Sequence, residues 1–331
     1  MTVLYVASDK PGSGKTALSA SLCVLFNKQG LNSAVYKLTS SEAEKEIFNQ
    51  HMQDFSKLLD PKNVLDSIDL PEIFTDQDLI ESLKQQEKKL DVLILEAPSS
   101  QTPDDIAKTA KNLNSSIIKI VNYSPSITID SFQKLGETFS GIKFSFLINN
   151  ATKYSSHAIQ TDFLEPSIAV SDRILGVVPE NRALLGINID TISSLVDGQI
   201  IDFNNPPDHN HTVNHFMVGG WSLDAGELYF GLLDRKAAII KGDRPDMQMA
   251  ALSTDTSCLI LTGGSSPNQY VVLQAEDKGV PIIVTNNDTV STMELLNNAE
   301  NHSRFDHPEK LGEFLRLIEK HVDTNSIFEL V

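Results

Sequence analysis

The sequence predicts an α/β protein made of two domains, each built on a parallel sheet. Short apolar runs alternate with amphipathic helical patterns along most of the chain, as in successive strand–helix–strand units. A stretch rich in Pro and Asn, 204–214, interrupts this alternation, which then resumes. The 331 residues are enough for two hydrophobic cores. We expect a first domain over 1–203, a linker over 204–214, and a smaller α/β domain with a C-terminal helix over 215–331.

The first domain opens with an apolar strand over 3–7 and a helix over 16–27. Further strands are predicted at 33–37, 91–96, 116–121, 143–148 and 174–178, and helices at 42–55 and 78–89. In an open parallel sheet the carboxyl ends of the strands line the ligand crevice. Polar residues that end these strands are therefore candidates for a functional site.

A glycine-rich turn joins the first strand to the first helix, and it reads Lys10-Pro11-Gly12-Ser13-Gly14-Lys15-Thr16. Gly12 and Gly14 allow the backbone to curl so that N–H groups converge on an anion at the helix N-terminus. Lys15 then supplies a positive charge for the outer phosphates, and the Thr16 hydroxyl supplies an oxygen for Mg²⁺. A strand before the turn and a helix after it favour a phosphate-binding loop over a chance Gly-Lys-Thr.

Three further residues end predicted strands of the first domain. Glu96 follows the most apolar strand, where a carboxylate can hold Mg²⁺ together with Thr16, or can simply face solvent. Lys37 ends the second strand, where it faces either a reacting phosphate or solvent. The amide of Asn149 can read the edge of adenine or cap a turn.

The second domain has predicted strands at 236–240, 258–262 and 280–285, and helices at 223–232, 245–252, 269–278, 290–299 and 308–321. Two short motifs follow two of these strands: Asp243-Arg244 and Thr262-Gly263-Gly264. Both can line one crevice and recognise a second ligand. Alternatively, Asp243 and Arg244 pair with each other and cap the next helix.

Composition excludes several classes of partner. A net charge of −17 argues against nucleic acid, whose phosphates demand a basic face, and against anionic membrane surfaces. No apolar run approaches the roughly twenty residues needed to span a bilayer. Cys23 and Cys258 lie in separate apolar runs, which favours two buried thiols in a reducing compartment. We expect a cytoplasmic protein.

The phosphate loop resembles the deviant K-G-G-x-G-K-[ST] loop of the MinD and dethiobiotin-synthetase group of nucleotide hydrolases, with Pro11 in place of a glycine. In dimeric members of that group the first lysine reaches a phosphate bound by the partner subunit. The resemblance therefore implies ATP and Mg²⁺ as ligands, a homodimer, and this bridging role for Lys10.

The two domains together resemble the N-terminal region of long bacterial phosphate acetyltransferases, in which a dethiobiotin-synthetase-like domain precedes a DRTGG domain. The resembling pieces are 8–16, 35–37, 93–96, 146–149, 174–179 and 218–222, with Asp243, Arg244, Thr262, Gly263 and Gly264 as the residues of the DRTGG name. The acetyl-transfer domain that follows in those enzymes has no counterpart in this sequence. The resemblance implies a regulatory protein, with a metabolic enzyme as a partner.

Two functions are open at this point. One is a Mg-ATP-binding regulatory or sensor protein. The alternative is an ATP-dependent ligase of the dethiobiotin-synthetase type, in which Lys15 and Lys37 flank the phosphate transferred to a small carboxylate. The segment after Glu96 is Ala-Pro-Ser-Ser, where those synthetases have a glycine-rich turn, and this departure favours the regulator.

Overall fold

The computed structural model describes residues 1–39, 41–65, 76–86, 89–98, 100–159, 161, 163, 173–201, 203, 212–219 and 226–331. The chain forms two compact units, one of Met1–Asn181 with Phe305–Val331 and one of Arg182–Arg304. Most of the expected linker and the segment 220–222 lie outside the described residues. The last residues of the expected linker include a short strand, Thr212–Val213.

The first unit is built on a six-stranded sheet in the order β2-β3-β1-β4-β5-β6, and all its pairings are parallel. The strands are β1 (Thr2–Ser8), β2 (Ser33–Lys37), β3 (Val92–Glu96), β4 (Ser116–Asn122), β5 (Phe144–Ala151) and β6 (Ile174–Pro179). Each apolar run predicted as a strand in this part of the chain is a strand. The predicted parallel-sheet fold is thereby confirmed.

The helices of the first unit up to β6 are α1 (Lys15–Lys28), α2 (Lys45–Leu58), α3 (Asp76–Gln86), α4 (Pro103–Asn112), α5 (Ile129–Thr138) and α6 (Ser156–Ile159). Helix α1 begins directly after Gly14, whose left-handed backbone turns the chain out of the preceding loop. Helix α4 begins with a capping box, in which Thr102 and Asp105 bond reciprocally. Within the described part of the chain, no helix has the length and apolarity to cross a membrane.

The order of the strands determines where the site lies. Strand β1 has β3 on one side and β4 on the other, so the chain reverses direction across the sheet at β1. Ligands of open α/β sheets bind at such a point, outside the carboxyl ends of the strands. Those ends carry Ser8 on β1, Lys37 on β2 and Glu96 on β3.

The second unit contains a five-stranded sheet in the order β10-β11-β12-β13-β8, parallel except for β8. Its strands are β7 (Ile187–Asn188), β8 (Gly198–Ile200), β9 (Thr212–Val213), β10 (His215–Gly219), β11 (Lys236–Lys241), β12 (Thr256–Thr262) and β13 (Ile282–Thr285). Its helices are α7 (Ile189–Leu195), α8 (Gly226–Phe230), α9 (Pro245–Leu252), α10 (Gln269–Lys278) and α11 (Thr289–Leu296). Strands β7 and β9 form a separate antiparallel pair.

Residues Phe305–Val331 pack on the first unit. Helix α12 (Pro308–His321) contacts α1 and β6, and α13 (Thr324–Phe328) places Phe328 edge-on to Phe26 at 5.7 Å. The Ser116 hydroxyl also donates to the Leu330 carbonyl at 2.7 Å. We expected this helix in the second domain. Its apolar stripe predicted a buried helix, but the stripe alone carries no information about which core receives it.

Candidate nucleotide-binding site

The loop between β1 and α1 has the backbone of a phosphate cradle. Gly12 and Gly14 have φ values of 69° and 94°, which glycine adopts without a steric penalty. The hydroxyls of Ser8 and Ser13 both donate to the Lys10 carbonyl, at 2.9 and 2.7 Å. These bonds hold the loop curled in front of α1, whose first-turn N–H groups have no acceptor within the helix.

Lys15 folds back across the loop, and its Nζ donates to the Ser8 hydroxyl at 2.8 Å. Its side chain is almost fully buried, and this burial lowers its pKa to about 8, against the opposing field of Glu96. The ammonium groups of Lys37 and Lys119 lower the Lys15 pKa further. Three buried lysines therefore converge on the loop, where an anion would relieve their repulsion.

Glu96 lies among the charged side chains beside this loop. It is the register partner of Lys37 across β2 and β3, so the two side chains share one face of the sheet. Lys37 Nζ donates to Glu96 Oε1 at 2.7 Å, with both side chains buried. Burial alone would raise the Glu96 pKa, but Lys37 and the hydrogen bond with His51 hold it well below its usual range. Glu96 is therefore a carboxylate at neutral pH.

The imidazole of His51 connects Glu96 to the loop. Nδ1 lies 3.2 Å from Glu96 Oε1 and 3.1 Å from Thr16 Oγ1. A carboxylate only accepts hydrogen bonds, so Nδ1 carries the proton in its contact with Glu96. Thr16 and Glu96, which we expected to share a metal ion, are thus within reach of one and the same nitrogen.

The side-chain oxygens of Glu96 and Thr16 are suitable ligands for Mg²⁺. Glu96 Oε2 is buried and has no hydrogen-bond partner among the described residues, which is costly unless a cation or a water fills the position. Mg²⁺ typically takes one or two protein oxygens and completes its shell with waters and phosphates. In the described part of the chain no group of three or more His, Cys, Asp or Glu residues is arranged to hold a metal ion. Glu96 and the Thr16 hydroxyl would hold the ion.

A second ion pair lies under the loop, and the sequence did not point to it. Lys119, in the middle of β4, is fully buried, and its Nζ is 2.5 Å from Asp9 Oδ1. Burial lowers the Lys119 pKa, while the contact with Asp9 opposes this shift. Asp9 occupies the position where the common phosphate-loop pattern has its first glycine, and the structure gives it a role in anchoring the loop to β4.

Asn149 contacts the loop from β5, and Lys10 belongs to the loop itself. Asn149 Nδ2 donates to the Ser13 carbonyl at 2.9 Å, so this amide contacts the loop itself. Its proposed contact with adenine remains a prediction. The Lys10 side chain is exposed to solvent, and its bridging role in a dimer likewise remains a prediction.

The DRTGG residues of the second unit contact the segments around them. Arg244 forms a two-point ion pair with Asp246, at 2.9 and 2.8 Å, and precedes α9. Thr262 Oγ1 lies 2.9 Å from Thr289 Oγ1. Gly263 and Gly264 have positive φ and donate their N–H groups to the carbonyls of Asn287 and Thr285.

These contacts account for much of the motif as turn structure, and Asp243, Gly263 and Gly264 are exposed to solvent. A ligand for the motif remains a prediction.

Sequence reasoning missed His51, Lys119 and the role of Ser8 in the first unit. Lys119 carried a signal, because a lysine inside the apolar run 116–121 must bury its charge or find a partner. His51 carried none, since a single histidine on a polar helix is ordinary. Only the packing of α2 beside β2 brings it to Glu96.

The sheet, the glycine-rich loop and the residues at the strand ends define a P-loop nucleotide-binding domain. The sequence profile of the "CobQ/CobB/MinD/ParA nucleotide binding domain" matches residues 4–187, more than half of the chain. The chain therefore belongs to this family. The profile of the DRTGG domain matches residues 191–299, which confirms the DRTGG domain predicted for the second half.

Solved structures show distant likenesses. The MinC:MinD complex of Aquifex aeolicus is 13% identical over 56% of this chain and 84% of that chain, with a TM-score of 0.38. MinD of Pyrococcus horikoshii with Mg-ADP is 18% identical over 55% and 83%, with a TM-score of 0.34. The CBS and DRTGG domains of Clostridium perfringens pyrophosphatase are 18% identical over 55% and 74%, with a TM-score of 0.30. None of these likenesses assigns a residue of the site.

Proposed function

We propose that this protein binds Mg-ATP at the loop and acts as a nucleotide-dependent regulator or sensor. One observation carries the proposal: Glu96 is fully buried and ionised, and its Oε2 has no hydrogen-bond partner among the described residues. A buried oxygen without a hydrogen bond is tolerated where a ligand binds to it. Its connection to the Thr16 hydroxyl through His51 favours a divalent cation as that ligand.

The lysines supply the other half of the recognition. The phosphates of ATP would lie on the curled backbone of the loop and the N-terminus of α1. Lys15 is already buried beside the loop, and phosphate can replace its neutral contact with Ser8 by a charge-assisted one. Lys37 is paired with Glu96 in the structure and would hold that carboxylate in place rather than contact substrate.

The second unit supports regulation rather than turnover. The DRTGG profile matches this unit, and we propose a regulatory role for it, as the resemblance to long phosphate acetyltransferases implies. We propose a homodimer, in which the exposed Lys10 contacts a phosphate bound by the partner subunit. A metabolic enzyme is the proposed target, and the cytoplasm the proposed location.

Calorimetric titration of the full chain with ATP, in Mg²⁺ and in EDTA, tests the proposal. We expect binding by the wild type, at least a tenfold loss in Lys15→Ala, and no change in Lys134→Ala, which removes an exposed lysine from α5. If the wild type binds ATP neither in Mg²⁺ nor in EDTA, the proposal is overturned. ADP release that depends on an added carboxylate would instead indicate a ligase.

A further inference from the structure

We infer that His51 occupies the magnesium position when nucleotide is absent, and that Mg-nucleotide must displace it. The inference rests on the proposed function and adds a regulatory contact to that site. Nδ1 of His51 lies 3.1 Å from Thr16 Oγ1 and 3.2 Å from Glu96 Oε1. These are the two residues whose oxygens would hold the metal ion.

The two occupants exclude each other for reasons of geometry. Mg²⁺ binds its oxygens at about 2.0–2.1 Å and in near-octahedral directions, and it takes them where their lone pairs are free. In the structure the N–H of His51 is directed at Glu96 Oε1 and lies against the Thr16 hydroxyl, whereas Glu96 Oε2 has no hydrogen-bond partner among the described residues. A protonated ring nitrogen has no lone pair with which to become a ligand itself. An ion that bridges Glu96 Oε2 and Thr16 Oγ1 therefore requires His51 to leave the Thr16 hydroxyl.

The electrostatics explain why a polar side chain lies at this position. Glu96 is buried with its negative charge, and Lys37 faces only one of its oxygens. The N–H dipole of His51 adds a second donor to that carboxylate, as a charge-assisted hydrogen bond. When Mg²⁺ supplies its own charge there, the contribution of His51 is no longer needed.

The surroundings of His51 allow it to leave without unfolding α2. Phe48 and Phe55 anchor this helix, since both are buried and Phe48 packs edge-on against Tyr36 at 5.7 Å. The side chain of His51, in contrast, is 29% exposed. A change of rotamer can therefore move the ring from the oxygens into solvent. The surface of α2 would then differ between the free and the Mg-nucleotide states.

The test compares ADP binding in Mg²⁺ and in EDTA for three full-length proteins: the wild type, His51→Ala and Gln53→Ala. Gln53 is an exposed residue of the same helix and serves as the matched control. We expect His51→Ala to bind Mg-ADP roughly tenfold more tightly than the wild type, which corresponds to about 1.4 kcal/mol, the net value of one hydrogen bond. Its affinity in EDTA should not change, and Gln53→Ala should match the wild type in both buffers.

Imidazole ¹⁵N spectra give a second readout, in which the signal missing from His51→Ala identifies His51. We expect Mg-ADP, but not ADP in EDTA, to shift that signal. If His51→Ala binds Mg-ADP no more tightly than the wild type while its affinity in EDTA is unchanged, the inference is overturned, because His51 then does not compete with the metal ion. If the wild type binds ADP in neither buffer, the proposed function fails and the inference with it. Should His51→Ala lose its far-UV circular dichroism, His51→Gln replaces it, with a smaller gain expected.

Discussion

Lys37 and Glu96 are register partners on neighbouring parallel strands, and their charged atoms meet at 2.7 Å with almost no access to solvent. A buried charge is strongly destabilising when its opposite charge is missing. The ion pair of Lys37 and Glu96 therefore stabilises the fold as well as the site. The pair also sets the direction of the Glu96 carboxylate, with Oε1 towards Lys37 and Oε2 without a hydrogen bond from any residue that the structure describes.

Breaking this pair should destabilise the first unit strongly. Glu96→Gln leaves the Lys37 ammonium buried without its counter-charge, and we expect a loss of about 3–5 kcal/mol in the free energy of unfolding. Lys37→Met leaves the Glu96 carboxylate buried without its counter-charge and should lower the free energy of unfolding by a similar amount. Urea denaturation of both variants and of the double variant measures the coupling. The double variant should lose clearly less than the sum, and strict additivity would contradict a mutual dependence of the two groups.

The two glycines of the loop should differ when each is replaced by alanine. A Cβ at Gly14 would approach Asn149 Nδ2 to 2.6 Å, whereas a Cβ at Gly12 meets no atom of the described residues within 4 Å. Both positions have positive φ, which alone costs alanine roughly 1–2 kcal/mol. We expect Gly14→Ala to weaken ATP binding more than tenfold, since it also displaces Asn149 from the loop. Gly12→Ala should show the backbone penalty in its stability and a smaller change in its calorimetric Kd. Equal losses in the two variants would mean that the contact with Asn149 is unimportant.

Local patterns predicted the six strands of the first sheet and β11, β12 and β13 of the second, because each of these strands is largely an apolar run, but they did not predict β8 or β10. The run 91–96, for example, forms β3 with its predicted carboxyl end at Glu96. The phosphate loop could be predicted for the same reason, since glycine positions, lysine and helix are adjacent in sequence. Contacts between segments that are distant in the sequence were not predicted. The approach of His51 on α2 to Glu96 on β3, and of Lys119 on β4 to Asp9, depends on packing that no local pattern encodes.

Lys310 should make stability depend on pH in the alkaline range. Burial at the start of α12 lowers its pKa to about 8, against the opposing charges of Asp306 and Asp54. Its ordinary pKa is about 10.4, so above pH 8 the unfolded chain binds more protons than the folded one. The free energy of unfolding should therefore rise as pH increases from 8, and this penalty on the folded state is fully present below pH 8.

Lys310→Met should remove its share of that rise. Lys15, with a pKa of about 8, contributes in the same direction, so the wild-type slope is not due to Lys310 alone. Between pH 7 and 9.5 we expect the variant to gain less than the wild type by on the order of 2 kcal/mol. Urea denaturation at both pH values gives the difference, and exposed Lys134→Met is the control. Parallel curves for Lys310→Met and the wild type would show that Lys310 remains charged in the folded protein.

The two cysteines offer a test of which core receives the C-terminal helix. Cys23 lies on α1 in the first unit and Cys258 on β12 in the second, and both are buried. Burial raises the pKa of Cys23 to about 11 and that of Cys258 well above its ordinary value, so neither thiol should react in the native protein at pH 8. Brief alkylation at increasing urea, followed by peptide mass spectrometry, then reports the opening of each unit separately.

Phe314 lies in the buried stripe of α12, and Phe314→Ala should cost about 3–5 kcal/mol through the cavity that it leaves. Because Phe305–Val331 pack on the first unit, we expect Cys23 to become reactive at lower urea in this variant, with little change at Cys258. Phe230→Ala, which empties a buried position in the second unit, should produce the opposite pattern. If Phe314→Ala exposes Cys258 and leaves Cys23 protected, the helix belongs to the second core, as its position in the sequence first indicated.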